Sequence, residues 1–368
     1  WQLDYNPQAQ ATTVEDSATP QPAKPAASPP VDDVPEIGKL ESGNAVEAPP
    51  LAEATPPTSQ PILVTTDVLR VEIDPRGGSL VSAELLAYPQ QQGSSEPVRL
   101  LDDEAARYFV AQSGLLSSDG AAPNHQAEFT TSSRNWTLAN GQNRIEVPLT
   151  WQDASGIQVR KTLVFERGSY VIGMQQQVRN ASAKPWTGQA YRQLQRIPLV
   201  LDSSGIKGYT NTERYSFMGA AWYSPEEKFQ KLAFDKFQGE PLKQTVSGGW
   251  VAMLQHYFFA AWIPPANEVD EFSSAQVAAA DGTRYVMRSF SPALSIQPGT
   301  EQTFSARLYV GPKLQSTLDD LAPGLSKTAD YGVFTVISEP LHLMLSMLHK
   351  LSGNWGTDNI LLDLMNNA

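Results

Sequence analysis

Cysteine is absent from the 368 residues. That excludes a disulfide framework, a thiol nucleophile and cysteine-ligated zinc or iron–sulfur sites. Basic charge is scarce as well. There are 27 Lys and Arg against 39 Asp and Glu, a net charge of −12. The balance argues against nucleic-acid binding, which rests on neutralising phosphates with Lys and Arg. It argues equally against a protein held on anionic lipid by a basic surface. No apolar run reaches the ~18 residues needed to cross a bilayer, so the expectation is a soluble or peripheral chain. Trp1 in place of Met points to something removed upstream.

What is present is distributed unevenly. Residues 1–61 hold 12 of the 28 prolines, 2 basic and 9 acidic residues, and only Trp1 and Tyr5 as aromatics. Such a stretch buries too little apolar surface to offset its ordering entropy, and it reads as a disordered, Pro-rich tether. Order is expected from Pro61. The run from Ile62 to Ile73 is β-rich, Asp74-Pro75-Arg76-Gly77-Gly78 breaks it, and Ser79 to Tyr88 resumes as the second arm of a hairpin. Strand-like segments follow at 144–151, 157–167, 169–179, 190–200, 284–290 and 303–310. In one of them Ile157, Val159, Lys161, Leu163 and Phe165 share a face, while Arg160, Thr162 and Glu166 share the other, with Val164 out of pattern. Many strands separated by turn residues predict a mainly β fold, a large antiparallel sandwich.

The segment from Gly248 to Pro265 is apolar on both faces, and its aromatics favour a strand covered on both sides in the middle of a layered sheet. His256 falls within it. After residue 312 the period changes. Lys313 to Leu321 reads as helical. Ser338-Glu339-Pro340 then supplies an N-cap and a first-turn proline for a helix over 339–351 that ends at Gly353. There His342, Ser346, His349 and Lys350 form a thin polar stripe. Leu341, Met344, Leu345 and Leu348 belong to a wide apolar arc, the pattern of an interfacial helix.

A search for chemistry finds no G-x-S-x-G elbow, no phosphate-binding G-x-x-x-x-G-K-[ST] loop and no H-E-x-x-H helix. The four histidines, His125, His256, His342 and His349, form no metal-ligand pattern. No catalytic, cofactor or metal residues are assigned.

Several strings carry a resemblance. They are Ile73-Asp74-Pro75-Arg76-Gly77-Gly78, Phe217-Met218-Gly219-Ala220-Ala221-Trp222-Tyr223-Ser224 and Glu226-Glu227-Lys228-Phe229. The fourth runs from Gly248-Gly249-Trp250 through Gln255-His256-Tyr257-Phe258 to Ala261-Trp262-Ile263-Pro264. Asp330-Tyr331-Gly332, Ile337-Ser338-Glu339-Pro340-Leu341 and Gly353-Asn354-Trp355-Gly356 follow. In this order, over about 62–356, they resemble the large periplasmic domain of the Gram-negative YidC family of membrane protein insertases. The resemblance implies a β-supersandwich similar to galactose mutarotase folds over 62–311, and C-terminal helices over 312–356. A transmembrane helix would precede the tether, and the amphipathic helix would lie on the membrane surface before a transmembrane bundle. Residues 357–368, with two aspartates, depart from the family's next span.

The resemblance further implies a docking and scaffold module without catalysis, at the periplasmic face of the inner membrane. Its partners would be SecF, SecD and the Sec translocon, with nascent membrane proteins handled by the full-length protein. The SecF-contact region corresponds to about 197–250, with Glu226, Glu227, Lys228 and Lys231 as candidate contacts. A carbohydrate-binding or mutarotase-like enzyme is the alternative. It requires a histidine and a glutamate converging in one cleft.

Overall fold

The computed structural model describes residues 34–35, 60–91, 93–118, 120–198, 217–279 and 282–329. All lie in one compact unit, which starts at Val31. The helix over 339–351, with its candidate membrane-interface residues Leu341, Met344, Leu345, Leu348 and Lys350, lies outside the described residues, as do His342 and His349.

Nineteen strands among the described residues form two sheets. The eleven-stranded sheet contains β1 (Ile62–Thr65), β2 (Leu69–Asp74), β3 (Ser79–Pro89), β4 (Pro97–Leu101), β5 (Phe109–Ser117) and β6 (Asn135–Thr137). To these it adds β10 (Trp186–Arg196), β13 (Lys243–Ser247), β16 (Val269–Ala279), β17 (Gly282–Phe290) and β18 (Leu294–Ile296). The eight-stranded sheet contains β7 (Arg144–Gln152), β8 (Ile157–Glu166), β9 (Val171–Asn180), β11 (Gly219–Ser224) and β12 (Lys228–Leu232). Its remaining strands are β14 (Trp250–Leu254), β15 (Phe258–Ile263) and β19 (Glu301–Pro312). Every strand pair is antiparallel except β1 with β6. The fold is the mainly β antiparallel sandwich that the alternation predicts.

The main core fills the space between the sheets, and it takes alternate residues from each strand. β8 contributes Ile157, Val159, Leu163 and Phe165, the face read from the sequence. Lys161, on that same face, is fully buried with them. The turn before β3 has Gly77 and Gly78 at positive φ, as their sequence context predicts. A Cβ on Gly77 would meet the His125 carbonyl oxygen at 2.3 Å, so the chain at 125–127 closes over the turn only because glycine stands there.

Two strand expectations need correction. Residues 62–73 form two strands, because Thr66 turns the chain: its Oγ1 accepts from the amides of Val68 at 3.2 Å and Leu69 at 2.9 Å. The apolar run from Trp250 to Ile263 is likewise a hairpin, β14 and β15, with Gln255, His256 and Tyr257 at its turn. His256 therefore sits at a hairpin tip, its ring 3.8 Å from that of Tyr257. The double-sided burial itself is correct. Val251, Met253, Ala260 and Trp262 face the sandwich core. Trp250, Ala252, Leu254, Phe259, Ala261 and Ile263 face a second apolar cluster on the outside of the sheet.

That outer cluster is covered by the short helix α2 (Gln315–Leu321) and a 3-10 turn (Leu325–Thr328), which bury Leu318 and Leu325. A four-residue helix, α1 (Lys236–Gly239), instead places Phe237 in the main core beside Tyr285.

Candidate docking surface

The candidate partner residues fall together on one hairpin. β11 and β12 pair from Ser224↔Lys228 down to Ala220↔Leu232. The connecting turn is Pro225-Glu226-Glu227, and it is braced from within. The Glu227 amide donates to Ser224 Oγ at 2.9 Å, and Lys228 Nζ donates to the Pro225 carbonyl at 2.5 Å. Gln230 Nε2 donates to the Glu227 carbonyl at 2.6 Å. Lys228 itself adopts φ 61°, a left-handed conformation that costs a side chain with Cβ about 1–2 kcal/mol. Glu226, Glu227, Lys228 and Lys231 are all exposed. Lys231 Nζ lies 5.2 Å from the Phe217 ring centroid, within cation–π range.

Beneath the turn the hairpin is anchored by aromatics. Tyr223 stacks on Trp250 with an interplanar angle of 11° and centroids 6.1 Å apart. Phe229 lies 6.0 Å from the same indole. Trp250 Nε1 donates to the Pro323 carbonyl at 3.0 Å. Gly324 follows at φ 70°, where a Cβ would meet the Tyr223 ring at 2.5 Å. The exposed charged turn and the C-terminal elements thus share one aromatic footing.

The polar groups inside the sandwich are structural. Lys161 Nζ donates to the carbonyls of Gly77 at 2.5 Å and Ser113 at 2.8 Å, and to Ser113 Oγ at 3.0 Å. Three acceptors match an ammonium group's three donors. Burial alone pulls its pKa down to about 7. Arg192 spans the two sheets. Its guanidinium meets Asp270 at 2.8 Å, Glu268 at 2.9 Å and the Ser305 carbonyl of β19 at 2.9 Å. Ser289 Oγ donates to the same Asp270 carboxylate. Burial, with Glu268 alongside, pushes the Asp270 carboxyl up against the opposing pull of Arg192. Arg196 is buried over the Phe109 ring at 4.6 Å, and burial lowers its pKa to about 10. Sequence reading placed Lys161 on this face of β8 but missed Arg192 and Arg196. The available signal for that pair was its spacing, four apart in a strand and so on one face.

His125 is buried, its Nδ1 2.6 Å from Tyr191 Oη. A hollow of about 320 Å³ is lined by Arg144, Glu166, Ile263, Pro265 and Arg307 among others, and a second of about 790 Å³ by Glu128, Trp151, Arg160, Arg179 and Glu301 among others. Neither includes a histidine. Among the described residues no group of three His, Asp or Glu could hold a metal, and no helix is long and apolar enough to cross a membrane.

Comparison with known proteins adds a family. The family model described as YidC periplasmic domain matches residues 61–344. The membrane protein insertase YidC of Methylococcus capsulatus is 39% identical over 369 residues, which cover 99% of this chain and 64% of that protein. That of Thioalkalivibrio sulfidiphilus is 36% identical over 379 residues, with the same coverage of each. That of Stenotrophomonas maltophilia is 40% identical over 314 residues, covering 83% of this chain and 53% of its own. The chain therefore spans less than two thirds of the length of these relatives. Among solved structures, a galactose mutarotase related enzyme from Lactobacillus acidophilus is similar with a TM-score of 0.44 and 10% identity, over 68% of this chain and 97% of that one. That likeness assigns no chemistry, since fold does not carry function.

Proposed function

Because the chain belongs to the YidC periplasmic domain family, we propose that it is the non-catalytic docking and scaffold module of a membrane protein insertase. The full-length protein would help insert and fold inner-membrane proteins, with or without the Sec translocon. The module would stand at the periplasmic face of the inner membrane, held there by spans outside this sequence. The observation that carries this reading is the family match across 61–344, which takes in both sheets and the start of the C-terminal elements.

The β11–β12 turn is the proposed contact with SecF, and through it with SecD and the translocon. Support comes from its physical character. Glu226, Glu227, Lys228 and Lys231 are exposed on a short turn whose base cannot shift without disturbing Trp250. Exposed charges of this kind set partner choice and association rate more than affinity. The proposed second contact is the membrane surface, through the helix over 339–351.

The docking reading is tested by capture of a detergent-solubilised SecD–SecF complex on the immobilised chain. Glu226→Lys combined with Glu227→Lys is expected to reduce capture at least severalfold while leaving the melting temperature unchanged. Undiminished capture would move the contact elsewhere on the domain.

A further inference from the structure

A belt of polar side chains crosses the apolar space between the two sheets. On the eleven-stranded side it is a row of three residues in register: Ser113 on β5, Arg192 on β10 and Ser289 on β17. On the eight-stranded side it is Lys161 on β8 and Gln176 on β9, directly opposite each other. All five are buried. Two contacts join the sides. Lys161 Nζ donates to the Ser113 carbonyl and Oγ, and Arg192 Nη2 donates to the Ser305 carbonyl of β19. Ser305 follows Phe304, the residue opposite Gln176 on its other side. Cross-strand neighbours stand about 5 Å apart, so Gln176 lies between the two contacts.

The hydrogen bonds of this belt do not close. Among the described residues five buried side-chain atoms lack a partner: Ser79 Oγ, Gln176 Oε1 and Nε2, Arg192 Nε and Asp270 Oδ1. Only Ser79 Oγ lies outside the belt and the carboxylate that Arg192 grips. Asp270 Oδ1 has the Glu268 carboxyl for a neighbour. Lys161 has no donor to spare for Gln176, since its three are matched by three acceptors. Arg192 has one to spare. Four contacts occupy its two terminal nitrogens, and Nε is unused. A buried amide with no partner costs its full desolvation. Buried polar groups in native proteins are instead met by protein or by ordered water.

We propose that Gln176 and Arg192 Nε hold an internal water, which makes the belt a built hydration site joining the two sheets. The chemistry selects water over an ion. The site offers donors, Arg192 Nε and Gln176 Nε2, and an acceptor, Gln176 Oε1. Water donates and accepts at once, and it makes about three bonds in such sites. An anion has nothing to donate to Oε1, and it would lie close to Glu268 and Asp270. A cation would lie beside Arg192 and Lys161. Exchange with solvent would run past Glu268, whose side chain is 19% exposed against 1% for Asp270. Apolar side chains let two sheets shift against each other by small steps. A fully satisfied polar network fixes one arrangement, and here it ties β9 to β10.

A crystal structure of the chain, with and without a bromide soak, tests the occupant. The expected result is a water peak within hydrogen-bonding distance of both the Gln176 amide and Arg192 Nε, unchanged by bromide. An anomalous bromide peak there overturns water in favour of an anion. No peak at that position overturns the site altogether, whether or not Gln176 and Arg192 bond directly. Thermal melting of Gln176→Met tests the same claim in solution. Methionine keeps the length of the side chain and removes its polar end. If the amide is dry, the substitution removes an unpaired group and the melting temperature rises. If the amide holds water, Arg192 Nε loses its partner and the melting temperature falls by about 2 °C or more. A rise overturns the proposal, and a fall together with the water peak supports it.

Discussion

The indole Nε1 of Trp250 donates to the carbonyl oxygen of Pro323 across 73 residues of sequence, at 3.0 Å. The bond fastens the C-terminal turn to the strand that also supports Tyr223 and Phe229. Trp250→Phe keeps an aromatic ring but removes the donor and the second ring of the indole, leaving a carbonyl unpaired and a small cavity. A loss of about 1–3 kcal/mol is expected. Hydrogen exchange should rise at 315–328 and at the β11–β12 hairpin together. Faster exchange confined to one of the two would show that they are not jointly anchored.

Lys161 makes stability depend on pH with a defined sign. Its pKa is about 7 in the folded chain, against an ordinary value of 10.5. Between those values the unfolded chain binds more protons, so this group's contribution raises stability as pH climbs from about 7 towards 10.5. Denaturant midpoints at pH 7 and pH 9.5 should differ in that direction. Lys161→Met should flatten the difference. It should also cost stability, because the Gly77 and Ser113 carbonyls lose their donor.

Arg192 presents the opposite balance. Removing one member of a buried ion pair leaves the others charged and unsolvated, which typically costs about 3–5 kcal/mol. Arg192→Leu should therefore destabilise strongly, since Asp270 and Glu268 both lose their cation. Asp270→Asn should cost less. The raised Asp270 pKa means that the folded state binds the extra proton, so its contribution to stability falls as pH rises above 3.8. Comparison of Asp270→Asn with wild type at pH 5 and pH 7 isolates that slope.

Lys228 occupies a left-handed conformation that glycine adopts without penalty. Lys228→Gly removes the strain, loses the Nζ bond to Pro225 and adds unfolded-state entropy. A net gain of roughly 0.5–1 kcal/mol is expected from a chemical-denaturation curve. A loss of stability would mean that the Lys228–Pro225 bond outweighs the backbone strain.

The helix over 339–351 is proposed to lie in a membrane interface. Leucines buried in lipid contribute roughly 1.5–3 kcal/mol each, so flotation with liposomes should depend little on salt. Leu345→Asp and Leu348→Asp should abolish it without unfolding the sandwich. Unfolding by those substitutions, with no flotation of the parent chain, would assign the helix to the core.

Much of this architecture was legible. Alternation in 157–165, broken only at Val164, marked the face of β8 that holds Ile157, Val159, Lys161, Leu163 and Phe165, because a sheet with one face in a core favours period two. Gly77 and Gly78 declared their turn. The β14–β15 hairpin was not legible as two strands. Its turn residues, Gln255, His256 and Tyr257, include none of the usual Gly, Pro, Asn, Asp or Ser. The charged tip at Glu226 and Glu227 could be picked out by its residue types and family resemblance. Its footing could not, since Trp250 and Pro323 meet only after the second sheet forms. The partners of Arg192 were hidden for the same reason: Asp270 is 78 residues away, on another strand.

The position of β19 has a consequence for the order in which the eight-stranded sheet can close. This strand lies between β9 and β15, pairing with each along much of its length. Without it the eight-stranded sheet is two separate ribbons, β7 to β9 and β11, β12, β14 and β15. A chain made from its N-terminus delivers both ribbons before the strand that joins them. Their facing edges stay unpaired until residues 301–312 emerge, a slow, non-local closure exposed to aggregation. Folding of this sheet is therefore completed from the C-terminal side, at the strand next to α2 and the turn that binds Trp250.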